Sequence, residues 1–198
     1  MKLVYGIGVN DKKYPTNVCG KPTYEYDLWK GMLRRCMRNL WIKYPSYTGT
    51  TCSENFKSYT FFYEWCRGQI GFGNKDEKDK IFHLDKDILF KGNKHYSETN
   101  CVFVPQRINL LLNNRAAVRG ELPIGVYFCK GSGRFKASCN SNNGIVRYLG
   151  SFNTPKEAFI AYKVFKEQRI KEVANEYRSY LDVRTYNALI EYTVKFED

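Results

Sequence analysis

Between Ile124 and Ser151 the chain reads IGVYFCKGSGRFKASCNSNNGIVRYLGS. Three short runs, Ile124 to Cys129, Arg134 to Cys139 and Ile145 to Ser151, are separated by Lys130 to Gly133 and by Asn140 to Gly144. Both separators carry hairpin chemistry, because Gly and Asn accept the positive φ that a tight reversal needs. The spacing predicts a three-stranded antiparallel sheet. Just beyond it, Thr154-Pro155-Lys156-Glu157 forms a capping box, with Thr154 at the N-cap, Pro155 at the first helical position and Glu157 reaching back. The helix it opens runs to about Tyr177, and its stripe of Ala158, Ala161, Tyr162, Phe165, Val173 and Ala174 can cover one sheet face. A shorter helix follows between Tyr180 and Tyr192.

The middle strand decides what the other face does. Its side chains alternate, so Phe135, Ala137 and Cys139 turn to the helix while Arg134, Lys136 and Ser138 turn away. From Ile124 to Pro155 there are four basic residues, Lys130, Arg134, Lys136 and Arg147, and no acid. A twisted sheet presenting Arg and Lys can enter the major groove of DNA, where strands meet base edges and phosphates. The alternative, an ordinary solvated sheet face, would carry mixed signs.

At these residues the chain resembles a known family. Gly125-Val126-Tyr127, Gly133-Arg134-Phe135-Lys136-Ala137, Tyr148-Leu149-Gly150-Ser151-Phe152-Asn153-Thr154, Glu157-Ala158 and Ala161-Tyr162 look like the pattern of the apetala-two/ethylene-response-factor DNA-binding domain. The match covers about residues 122 to 178. The resemblance implies a sheet-on-helix fold that reads double-stranded DNA from the sheet, with Tyr127, Arg134, Lys136, Ser138, Asn140 and Tyr148 facing DNA and Lys130 and Arg147 contacting phosphates. Tyr127 and Tyr148 stand where plant members keep Arg and Trp, so plant target preferences do not transfer.

Working toward the N-terminus, Asn113 to Pro123 collects turn formers, which places a linker at about 114 to 122 between a region 1–115 and a domain 120–198. In the first region, Tyr24 to Leu40 puts Trp29, Leu33, Cys36 and Leu40 at helical spacing, with Lys30, Arg34, Arg35 and Arg38 interleaved. It reads as an amphipathic helix with a basic side. Glu54 to Cys66 reads as an aromatic helix, and Gly68 to Lys80 as a charged loop. Ile81 to Lys86 then reads as a strand, Gly92 to Glu98 as a turn, Cys101 to Val104 as a strand and Pro105 to Asn113 as a helix.

A carboxylate at a strand end and an amide on a following helix can ligate a hard divalent cation through oxygen, although a metal-free hairpin with a surface Asp fits the same residues. The segment His83-Leu84-Asp85-Lys86-Asp87, Gly92-Asn93-Lys94, Tyr96-Ser97, Asn100-Cys101-Val102-Phe103-Val104-Pro105 and Ile108-Asn109 resembles the strand, loop, strand, helix core of HNH endonucleases, in the variant found beside apetala-two domains in phage-borne and homing-type proteins. The resemblance covers about 80 to 113 and implies a ββα-metal core in an α+β chain. Asp85 and Asn109 would be ligands to magnesium or manganese, and Asn100 would tie the loop. Where such enzymes keep the His that deprotonates water, this chain has Lys86, a poor base at neutral pH. His83 or His95 would have to replace it, or Lys86 would bind the scissile phosphate while the metal activates water.

Composition sets the frame for these readings. The 198 residues include 32 Lys and Arg against 20 Asp and Glu, a net +12 that points to a polyanionic partner, and 16% aromatics that supply stacking faces. No apolar run suits a membrane span, and the first fifteen residues show no extended signal-peptide core, so a cytoplasmic protein, in the host cytoplasm if phage-encoded, is expected. The seven cysteines lack a Cys-x-x-Cys, and with two histidines no zinc site is expected; they read as small, largely buried thiols. The leading functional reading is a metal-dependent, nicking DNA endonuclease, a monomer in preference to an oligomer. Its rival is a nuclease-derived DNA-binding protein without catalysis that regulates or blocks a host factor. RNA binding is weaker, since no RNA-recognition signature is visible.

Overall fold

The computed structural model describes residues 3–112, 120–140 and 145–198. The expected linker at 114–122 and the expected turn at 140–144 therefore lie largely outside the described residues. The protein is mixed α+β. It divides into two compact units, Met1–Pro105 with Tyr180–Thr185 and Gln106–Ser179 with Tyr186–Asp198.

The first unit begins with a small hairpin of β1 (Asn17–Val18) and β2 (Lys21–Pro22). Thr23 then caps α1 (Tyr24–Arg35), its hydroxyl accepting from the Tyr26 N–H. The expected single helix to Leu40 is two helices. Met37 takes an extended conformation, so α2 (Arg38–Lys43) starts afresh, and the Trp41 indole N–H donates back to the Arg35 carbonyl at 3.0 Å. The second expected helix is divided in the same way: a 3-10 turn at Asn55–Lys57 gives way to α3 (Tyr59–Arg67), with extended Ser58 capping the Phe61 N–H. At Ser58 a side-chain cap restarts the helix where periodicity alone reads one continuous run, whereas at Met37 the extended residue divides the helices without a side-chain cap.

Trp29, Met32, Leu33, Phe56, Tyr59, Phe62, Phe82 and Phe103 are fully buried or nearly so in this unit. The Trp29 indole N–H finds the Phe56 carbonyl at 2.8 Å, which satisfies its polar edge inside the core. Two further strand pairs hold the loops: β3 (Thr51–Cys52) runs parallel to β5 (His95–Tyr96), and β4 (His83–Asp85) runs antiparallel to β6 (Val102–Val104). Tyr180–Thr185 belongs here because Arg184 donates to the Thr99 carbonyl at 3.3 Å.

In the second unit α4 (Gln106–Leu112) is bound to its own unit through Arg107, whose guanidinium is 2.5 Å from the Glu176 carboxylate. β7 (Val126–Cys129), β8 (Arg134–Asn140) and β9 (Val146–Phe152) form the antiparallel sheet in that order. α5 (Pro155–Glu176) has the full capping box at Thr154 and Glu157 and packs on one face. Ala137 and Cys139 from the sheet meet Ala158, Phe159 and Tyr162 from α5 in a buried cluster with Ile124 and Val194. Gly125 shows why the motif needs glycine: its φ is +77°, and a Cβ there would lie 2.0 Å from the Tyr162 ring. The last helix, α6 (Val183–Ile190), falls within the expected stretch.

Among the described residues no helix is long and apolar enough to cross a membrane. The cysteines are free thiols, with Cys52, Cys66, Cys101 and Cys139 buried.

Candidate functional site

The strand register fixes which side chains share the face turned away from α5. Tyr127 stands opposite Lys136, Cys129 opposite Arg134, Lys136 opposite Ser151, Ser138 opposite Tyr148 and Asn140 opposite Val146. Directly opposed residues lie on one side of a sheet. Arg134, Lys136, Ser138 and Asn140 thus form a central row, flanked by Tyr127 (46% exposed) and Tyr148 (57% exposed). Lys130 is exposed in the hairpin turn that joins β7 to β8.

Arg147 behaves differently. The ladder slips between Ala137 and Ser138, leaving Leu149 as the extra residue between Gly150, paired with Ala137, and Tyr148, paired with Ser138. That bulge keeps Tyr148 with the cations and sets Arg147 opposite Cys139, on the helix side. Its guanidinium stacks over the Phe165 ring at 5.1 Å, and with Phe165, Gln168, Arg169 and Glu172 it lines a pocket of about 240 Å³. Gly150, at φ +136°, is the signal for this bulge that the sequence carries.

Two local interactions tune the cationic face. Arg134 donates to the Ser151 carbonyl at 3.0 Å, which steadies its guanidinium across the sheet. Cys129 accepts from Ser132 and from Lys136, and these contacts push its thiol down to about 7, while the same contact raises the Lys136 ammonium. Cys129, like Ser151 and Val146, lies on this face without having been singled out in the sequence reading. Its place follows from strand alternation with Tyr127, two residues before it.

In the first unit, the residues of the expected nuclease motif are bound up in their own loop. Asp85 Oδ1 accepts from the Asp87 N–H at 2.8 Å and the Ile88 N–H at 2.9 Å, so it caps the turn leaving β4. Burial first, and then the Asp87 carboxylate against it, push the Asp85 carboxyl up to about 7. The Lys86 ammonium donates to the Asn93 carbonyl at 2.9 Å, lies 3.3 Å from Asp87 and sits 5.7 Å over the Tyr96 ring.

The amide of Asn93 donates to the carbonyls of Lys86 and His95 and accepts from the His95 N–H, so Asn93 makes three of the bonds that close this loop. Asn100, expected to tie the loop, makes one longer bond to the His95 carbonyl at 3.4 Å. The Gly92-Asn93 turn is visible in the sequence, but nothing there says which asparagine carries the closure. His83 is exposed on β4, and the His95 ring bonds Thr51 at 2.8 Å. Asn109 stands on α4 of the second unit, half-buried, whereas Asp85 belongs to the first.

Among the described residues no three His, Cys, Asp or Glu side chains gather into a metal cage. The hard oxygen donors of this loop are the hydrogen-bonded carboxyls of Asp85 and Asp87, the donor type a divalent ion such as magnesium takes. Comparison with protein families, with curated proteins and with solved structures gives no match.

Proposed function

We propose that this protein binds double-stranded DNA through the β7–β9 face. The supporting observation is the row of Arg134, Lys136, Ser138 and Asn140 between two exposed tyrosines on a sheet whose other face is packed on α5. Strands of this width enter the major groove, where Arg and Lys bond guanine edges or phosphates and Ser and Asn serve either. Tyr127 and Tyr148 supply flat apolar contact beside them. The second unit is thus the reading head of the molecule.

A second reading adds phosphodiester hydrolysis by the first unit, and the Asp85 and Asp87 carboxyls favour it. They would hold magnesium or manganese. When bound, such an ion stabilises charge on the phosphate and lowers the pKa of its water. Lys86 does not act as the base in this reading. Its ammonium is engaged by Asn93 and Asp87, so it positions the Asp87 carboxylate and closes the loop. Without the ion, the same unit is a DNA-binding protein's support domain, able to regulate or occlude but not to cut.

Fluorescence-anisotropy titration of the full chain against a duplex, its separate strands and an RNA hairpin tests the first reading. The duplex should bind best, and a preference for either single strand or RNA would overturn it. A supercoiled-plasmid assay with magnesium, manganese and chelator tests the second. Nicked circles that vanish with chelator support it, and intact plasmid under every ion leaves binding alone.

A further inference from the structure

From Leu28 to Ser53 the chain carries five basic residues and no acidic one. Two of the five are engaged within the unit: Lys30 is 3.1 Å from Asp27, and Arg35 donates to the Tyr96 hydroxyl at 3.5 Å and lies over the Tyr47 ring. The other three, Arg34, Arg38 and Lys43, are exposed and make no ion pair among the described residues. Elsewhere in the same unit some lysines are ion-paired, as in Lys13 with Glu64, Lys57 with Glu54 and Lys75 with Asp79.

The three cations are held on a fixed platform. Cys36 and Met37 form a tight turn between α1 and α2, with the Met37 N–H bonded to the Arg34 carbonyl at 3.2 Å, and the Trp41 indole ties α2 back to Arg35. Arg38, Asn39, Ile42 and Lys43 therefore project together from α2, which buries none of its residues fully. Ile42 is 88% exposed, the most exposed large apolar side chain among the described residues. A branched aliphatic side chain ringed by Arg, Asn and Lys is the composition of an apolar wedge set among phosphate contacts in DNA-bending surfaces.

We infer that the α1–α2 corner, through Arg34, Arg38 and Lys43 with Ile42 among them, is a second docking surface for the phosphate backbone of duplex DNA. It rests on the reading that the chain binds duplex DNA, and it gives the first unit a grip of its own on that duplex. The charge selects a polyanion, and the single large apolar side chain selects a duplex over a lipid surface. A membrane-surface helix needs a broad apolar face, and α2 has six residues with one exposed aliphatic.

The test uses the full chain and a duplex of about three helical turns, titrated over a range of salt concentrations. Removing one phosphate-binding cation should reduce the slope of log K against log salt by about 0.9. Arg34→Gln/Arg38→Gln/Lys43→Gln should therefore lower the slope by about two to three and weaken binding about tenfold or more at moderate salt. The charge-keeping Arg34→Lys/Arg38→Lys variant should hold the slope, and Ile42→Ala should weaken binding with the slope unchanged. Circular dichroism confirms that each variant is folded.

Binding by the unmodified chain with an unaltered slope in the glutamine variant overturns this surface and leaves the proposed function standing. No duplex binding by the unmodified chain overturns both. If the glutamine variant instead loses affinity only for phosphatidylserine vesicles, the corner is a lipid surface and the inference fails.

Discussion

Lys86 directly follows β4 and Lys136 lies within β8, each close to a tyrosine and an acceptor, and the two units use them in opposite ways. The Lys86 side chain is 13% exposed and bonds the Asn93 carbonyl, the Asp87 carboxylate and the Tyr96 ring, so its charge closes a loop. Lys136 bonds one weak acceptor, the Cys129 thiol, and otherwise stands in an open row with Arg134 and Tyr127. A cation with three internal partners is part of the fold, while a cation with one exposed neighbour is available to a ligand. The difference separates a unit that commits its charged motif to structure from one that presents it.

The comparison breaks most completely at Gly125. Gly125→Ala places a methyl group in the Tyr162 ring at a positive φ, which should cost about 3 kcal/mol from overpacking and backbone strain together. Duplex binding should be lost together with the second unit's thermal transition, followed by circular dichroism. Retained binding would mean that the sheet does not depend on its seat on α5.

Asp85→Asn should have the next largest effect, and its sign depends on pH. The folded carboxyl keeps its proton up to about 7, well above the ordinary value of 3.8, so the folded state binds more protons than the unfolded one between those limits. Stability from this group is therefore full at low pH and is lost as pH rises through that window. The amide can still accept from the Asp87 and Ile88 N–H groups, so the variant should melt higher than the unmodified chain at pH 7.5 and should nick no plasmid. A lower melting temperature would show that the ionised carboxylate, not its burial, dominates the turn.

Arg147→Ala sharpens the contrast between the two faces of the sheet. Because the bulge at Leu149 turns Arg147 toward Phe165, its removal should cost about 0.5–1 kcal/mol of stability from the cation–π contact and leave duplex affinity within about twofold. A fall of about one in the salt slope would instead place this guanidinium on a phosphate.

The smallest effect is chemical. Iodoacetamide should label Cys129 with a half-maximal rate near pH 7, where a free thiol titrates at about 8.5, and Lys136→Ala should move that midpoint upward. Mass spectrometry of the labelled peptide, with Cys129→Ser as control, reads the position directly.

Much of the second unit was legible because its signals are local. Alternation along Arg134 to Cys139, the Gly-Ser-Gly turn and the Thr154 to Glu157 capping box each act within a few residues. The bulge was not legible in the same way, and it sets Arg147, which the family resemblance places on a phosphate, opposite Cys139. In the first unit the helix breaks at Met37 and Ser58 hid inside good periodicity, because a single extended residue restarts a helix without changing the apolar stripe. The parallel pair of β3 and β5 joins residues more than forty apart through two-residue strands, too short for alternation to show. The roles of Asn93 and Lys86 rest on hydrogen bonds to backbone carbonyls, which residue identity does not encode.

The most direct test is an equal-charge comparison on the second unit. Arg134→Ala/Lys136→Ala removes two cations from the open sheet face, and Lys156→Ala/Lys171→Ala removes two exposed cations from α5. Duplex affinity measured against salt for both variants should fall in slope by about two for the first pair and stay unchanged for the second. Equal changes in the two variants, or no change in the first, would contradict the claim that the sheet face is where this protein meets DNA.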